Sequence, residues 1–212
     1  MAAPPEVTCT NLSGKFVMNK VLSDDFDPIL QLQGLSWFTR KAIRLATVVL
    51  TIREYKEGAV VHIDITSVAS GLSTTQENRT LDWTDRDHAD RIFGKVKGRS
   101  RMVQKGSISK EGPGSEEDIR FLKGQVLKDG KTSSQFLEND AVQSFVVNQD
   151  SGGWTAEQFW NFENVDGKRY YTRRVVVAKG KEVRRARLVY NYTGPVDKGS
   201  TDEDDGLAYG DE

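Results

Sequence analysis

The sequence predicts an all-β domain, an up-and-down antiparallel β-barrel around an internal cavity with a short helix-turn-helix lid after its first strand. Two observations carry this prediction. From Val48 almost to its end, the chain runs as short β-branched and aromatic segments separated by turn residues. Ahead of that run, after a first strand at Lys15–Lys20, stand two amphipathic helical segments too short to be stable alone. They need an apolar surface to lie across, and an open barrel mouth supplies one.

Taken in order, the first helix can be capped by Ser23 or Asp24 and carries Phe26, Ile29 and Leu30 at helical spacing. Gly34 breaks it. Ser36 caps the second, in which Leu35, Phe38, Ala42, Ile43 and Ala46 make an apolar side and Arg40, Lys41 and Arg44 the other. Val48–Tyr55 and Val60–Ser67 pair through the Lys56–Glu57–Gly58 turn. Further strands are expected at Thr75–Trp83, Ile92–Val103, Arg120–Leu127, Ser144–Asn148, Glu157–Asn164, Arg169–Ala178 and Lys181–Tyr192. The clearest hairpin turns lie in NVDGKRYY and VAKGKEV, where glycine supplies a positive φ. Gln104–Asp118, QKGSISKEGPGSEED, reads as an inserted, mobile polar loop. The expected organisation is an N-terminal extension over 1–10, one barrel domain over 11–194 and an acidic, disordered tail over 195–212. Within the barrel domain the lid spans about 24–46 and the insertion about 104–118.

Composition narrows the function. The 212 residues suit one large domain, and a single cysteine, Cys9, excludes an internal disulfide framework. The N-terminus lacks a signal-peptide pattern and no apolar run reaches membrane-spanning length, so a cytoplasmic protein is expected. Residues 168–187 hold nine Lys or Arg and one Glu. These charges alternate with valines along strands and read as a solvated barrel face, so no nucleic-acid partner is expected. Arg40, Lys41 and Arg44 limit membrane contact to a transient touch through the lid. Two histidines without ligand spacing make a metal site improbable. The Gly130–Lys131–Thr132 triplet lacks a glycine at phosphate-loop spacing, and no G-x-S-x-G elbow is present. No cofactor is expected.

LSGKFVMNKVLSDDFDPILQLQGLSWFTRKAIRLATVVLTI resembles the opening of the intracellular fatty-acid-binding proteins, relatives of the lipocalins. Gln33–Lys41, QGLSWFTRK, stands where that family has a Leu-Gly-Val-Ser-x-x-x-Arg-Lys segment. The resemblance covers about 12–67 and resumes with FWNFENVDGK and the last hairpin over about 144–193. It implies a lipocalin-like, ten-stranded, flattened barrel lidded by the helix pair. That family anchors a ligand carboxylate on interior arginines and a tyrosine. Here Phe162 takes one arginine position, and Tyr190 and Tyr192 fall where an Arg-x-Tyr pair would stand. A register shifted by two would instead keep an arginine inward.

Strand alternation extends this reading. With Tyr190 and Tyr192 inward, Leu188, Ala186 and Arg184 follow, and pairing turns Arg173 and Tyr171 inward. Trp160 and Phe162 then face in, and Asn161 and Glu163 out. The expected ligand wall is Trp160, Phe162, Tyr171, Leu188, Tyr190 and Tyr192, with Phe38 from the lid. Tyr190, Tyr192, Arg173 and Arg184 are the catalytic candidates. For Trp160 and Phe162, packing in a ligand-free core is an equal alternative. The wall suits an aromatic or polycyclic hydrophobic small molecule. Three functions follow: a lipocalin-like carrier, a cofactor-independent isomerase or cyclase of the pericyclase kind in a natural-product pathway, or an interaction surface built on the basic strands.

Overall fold

The computed structural model describes residues 1–150 and 152–196, so the acidic tail from residue 197 onward lies outside the described residues. Strand β1 (Gly14–Met18) leads into helices α1 (Asp27–Leu32) and α2 (Trp37–Leu45). Strands β2 (Val48–Glu57), β3 (Val60–Ala69), β4 (Ser73–Thr80), β5 (Arg86–Asp90) and β6 (Gly94–Gln104) follow. After helix α3 (Glu116–Leu122) come β7 (Asp140–Asn148), β8 (Trp154–Val165), β9 (Lys168–Lys179) and β10 (Glu182–Gly194). They form one ten-stranded sheet in the order β4-β3-β2-β1-β10-β9-β8-β7-β6-β5. This is the expected up-and-down antiparallel barrel with helices after the first strand. Among the described residues no ladder joins β4 to β5. The wall closes there only at one end, through the Asp82–Arg101 bridge and the Trp83 amide on the Ser100 carbonyl at 2.9 Å. The β8–β9 hairpin turns on Asp166 (φ 49°) and Gly167 (φ 76°), the successive positive φ values that match strand twist.

Residues 1–12 fill one end of the barrel. Ala3, Val7, Cys9 and Leu12 are buried against Phe16, Ile52, Ile63, Ile65 and the β8–β10 aromatics. Arg169 holds this segment, donating to the carbonyls of Pro4 at 2.9 Å and Val7 at 2.8 Å. The opposite end, beneath α1, is hollow.

Three expectations fail on the outer face. Arg120–Leu127 is not a strand: Arg120, Phe121 and Leu122 lie in α3, which opens with a capping box between Ser115 and Asp118. Nor does the insertion stand off the barrel, because Ile108, Phe121, Leu122, Val126 and Phe136 pack on the outward residues Phe159 and Val176. Asn161 and Glu163 therefore face out of the barrel, as alternation requires, yet are buried. Nor are the basic strands simply a solvated face: Arg173 and Arg174 are buried, whereas Lys168, Lys179, Lys181 and Arg184 are exposed. Arg174 is fully buried, pairing with Glu163 through Nε at 2.9 Å and Nη2 at 2.6 Å while Nη1 donates to the Phe121 and Val126 carbonyls. Arg187 adds a second cation to Glu163 at 3.3 Å.

Burial alone would raise the Glu163 pKa, but Arg174 and Arg187 hold it below its ordinary 4.5. The pair's contribution is therefore complete above about pH 4.5 and fades as pH falls through the depressed native value. Arg174→Met leaves the buried carboxylate only Arg187 and the Thr172 hydroxyl among the described residues, and is expected to cost up to about 3–5 kcal/mol at neutral pH. Because that carboxylate then favours its protonated form, the difference from the parent should shrink toward pH 3. Urea titrations at pH 7 and pH 3 check both; a difference independent of pH would contradict the assignment.

Candidate active site

The hollow end is a cavity of about 600 Å³ between α1 and the strands from β4 to β10. Its roof is apolar, formed by Phe26, Ile29 and Leu30. Proline at the start of α1 and the burial of Ile29 and Leu30 fix that short helix in place. The walls are largely apolar, with Val96, Val146, Trp154, Ala156, Val175 and Leu188, though Gln33 at the end of α1 and Arg86 and Arg99 also line the cavity. The mouth lies at the open β4–β5 side, where exposed Thr84, Asp87 and His88 line it.

The floor is polar. On β4, Glu77 and Arg79 sit opposite the buried Ile65 and Ile63 of β3, so alternation carries both charges inside. Arg79 grips one Glu77 oxygen through Nε at 3.2 Å and Nη2 at 2.6 Å. Its Nη1 donates to Ser100 at 3.2 Å and Ser144 at 2.7 Å, two serines facing each other on β6 and β7. These bonds use four of the five guanidinium N–H groups, leaving one on Nη2. Just below, Arg173 lies over the Trp160 ring at 4.1 Å and donates from Nε to the Tyr171 hydroxyl at 2.9 Å. Its Nη2 is buried and has no hydrogen-bond partner among the described residues.

Electrostatics follow from this packing. Burial would raise the Glu77 pKa, but Arg79 and then Arg173 hold it below the ordinary range. Burial pushes the Tyr171 and Tyr190 hydroxyls up, only partly opposed by Arg173, so both stay protonated at neutral pH. Two guanidiniums thus face one carboxylate, and the floor is a fixed array of donors under an apolar chamber. Among the described residues no group of three or more His, Cys, Asp or Glu is placed to hold a metal ion. No described helix is long and apolar enough to cross a membrane.

No family model matches the chain. The pericyclase pydY of Acremonium sp. is 30% identical over 203 residues, covering 92% of this chain and 98% of the relative. This chain belongs to that pericyclase family. The probable pericyclase scpY of Mollisia scopiformis is 28% identical over 197 residues, covering 92% of this chain and 96% of the relative. Solved structures share the fold alone. Lipid binding protein 8 of Caenorhabditis elegans matches with a TM-score of 0.51 at 12% identity, over 91% of this chain and 99% of that one. Fatty-acid-binding protein 1 of Echinococcus granulosus matches at 0.50 and 14% identity, over 86% and 97%.

Within this pericyclase fold, the residues expected to form the ligand wall are divided. Leu188 lines the cavity. Trp160, Phe162, Tyr171, Tyr190 and Tyr192 face inward but pack with Phe16 in the filled half, Phe16 and Tyr171 with ring centroids 5.0 Å apart. The N-terminal segment causes this by occupying the space those rings would otherwise offer a ligand. Phe38 is 79% exposed on α2, a helix that buries none of its residues, so only α1 roofs the cavity. Arg173 points inward beneath the floor, whereas Arg184 is exposed at the end of the β9–β10 hairpin beside Glu182. Glu77, Arg79, Ser100, Ser144 and Gln158 escaped the sequence reading. Stepping back by twos from Leu81 reaches Arg79 and Glu77, and from Trp160 reaches Gln158.

Gly98 also lines the cavity, and a Cβ there would meet Val146 Cγ2 at 3.3 Å. Gly98→Leu should fill the chamber and weaken binding of an apolar fluorescent probe by roughly tenfold or more. Fluorescence titration checks this; unchanged affinity in the folded variant would place the ligand elsewhere.

Proposed function

We propose that this protein is a cofactor-independent pericyclase that folds a flexible, largely apolar, polyunsaturated substrate inside the barrel and releases a cyclic isomer. The observation that carries the reading is Arg79, fixed by one carboxylate and two serines at the bottom of an apolar cavity. Support comes from its pericyclase relatives, pydY and scpY.

A pericyclic step rearranges bonds around one cyclic transition state without gaining or losing atoms. Such a step asks two things of a protein. The first is to hold a chain with many rotors in the reactive shape, which removes an entropic part of the barrel-free barrier. A cavity of about 600 Å³ falls within the usual range of about 300–1,000 Å³ for small-molecule sites. The second is to polarise an alkene through a conjugated carbonyl. The remaining Arg79 N–H, aimed at that oxygen, stabilises the charge it gains as the bonds form. Glu77 and the serines prevent the guanidinium from having to reorganise, the condition under which such donors are most effective.

A second reading, a carrier for a hydrophobic small molecule, is favoured by the fold shared with lipid-binding proteins. Turnover separates the two. Incubation with linear polyenes bearing an electron-poor terminal alkene, followed by chromatography and mass spectrometry, should give a cyclic product of unchanged mass. Arg79→Lys keeps the charge but not the fork, and should lower kcat about 10²-fold with a smaller change in KM. Recovery of every bound polyene unchanged would favour the carrier.

A further inference from the structure

We infer that Gln158 is a further substrate-binding group of the cavity, a hydrogen-bond donor to a neutral carbonyl oxygen such as that of a ketone, amide or lactam, and that Trp160 holds it in that role. The inference rests on the cavity being the substrate site, as proposed above.

A glutamine amide can present either its oxygen or its NH₂ group, and nothing in its own chemistry chooses. Here the choice is made by a neighbour. Trp160 Nε1 carries a hydrogen and can only donate, and it lies 3.0 Å from Gln158 Oε1. The NH₂ group is thereby turned away from Trp160. Gln158 lines the cavity, and its Nε2 makes no hydrogen bond to any described residue. Flipping the amide would set NH₂ against the indole N–H and leave the buried indole donor unsatisfied. Trp160 itself has no room to turn: it is fully buried, with Arg173 at 4.1 Å and Arg79 at 5.2 Å from its ring centre.

The placement suits a carbonyl held from two sides. Gln158 pairs directly across from Ser144, whose hydroxyl accepts from Arg79. The free amide N–H and the remaining Arg79 N–H therefore come from neighbouring positions on the floor. Glu77 neutralises Arg79 through two contacts and Gln158 carries no charge, so these two donors call for no charge on the oxygen they meet. Trp160 acts as a positioning residue, since it reaches the substrate only through Gln158.

The test uses an aromatic ketone, 6-propionyl-2-(dimethylamino)naphthalene carrying a ¹³C-labelled carbonyl, bound to the full-length protein. Infrared difference spectra report the carbonyl stretch. The expected result is a stretch lowered in the parent and returned to higher frequency in Gln158→Leu, with binding weakened about two- to tenfold. Trp160→Phe, which keeps a ring but frees the amide to flip, should give two bands. Probe binding with one identical stretch in all three folded proteins, or no probe binding to the parent, would overturn the inference. The same proteins are assayed for cyclisation. A shifted carbonyl without cyclisation upholds the donor while removing the pericyclase reading. Cyclisation undiminished in Gln158→Leu with an unshifted carbonyl removes the donor while leaving that reading intact.

Discussion

The carboxylate of Glu163, buried on the outer face of β8, ties three strands to the layer that covers them. Arg174 of β9 and Arg187 of β10 meet on it, and Arg174 reaches on to the carbonyls of Phe121 and Val126 in the covering layer. One buried cluster thus fixes three strands and the insertion that packs on them. Since side chains alternate, locking the outer faces of these strands also locks the inner ones. Those inner faces carry Gln158, Val175 and Leu188, which line the cavity. Charge burial of this kind stabilises little by itself, but losing one partner is costly. Its effect here is to hold β8 and β9 covered on both faces.

Inside the barrel, filled and hollow halves meet at a polar boundary. Below it, the N-terminal segment and the aromatic cluster pack as a core. Above it, largely apolar walls surround open space. At the boundary Arg173 is buried, while Arg79 and Glu77 are half-buried on the cavity floor. Such a cluster has no value for packing that apolar residues of similar size would not match. The cavity thus sets fixed donors at one end against largely apolar walls at the other.

Much of this was legible in the sequence. The hairpin turns, the helix pair after the first strand and the inward parity of Trp160, Phe162, Tyr171 and Tyr190 all follow from alternation and turn chemistry. The position of the cavity did not, because Ala3, Val7 and Cys9 come from a segment whose composition gives no sign that it enters a barrel. The outer layer was equally hidden. GSISKEGPGSEED is polar enough to pass for an exposed loop, and only Phe121, Leu122, Val126 and Phe136, read together, reveal a buried face. Glu77 and Arg79 lie in STTQENRT, a strand with no apolar alternation to mark its inner side. Only the step back by twos from Leu81, just beyond the strand's end, marks that side.

The most direct test of the account is a ¹⁹F NMR time course on protein labelled with 5-fluorotryptophan, after adding a linear polyene amide. Trp154 lines the cavity, whereas Trp37 stands exposed on α2. The account predicts that the Trp154 resonance moves at once, that Trp37 stays still, and that the olefinic proton signals then decay into those of a cyclic isomer. A polyene that binds and reacts without moving Trp154, or that moves Trp154 and remains linear throughout, would contradict it.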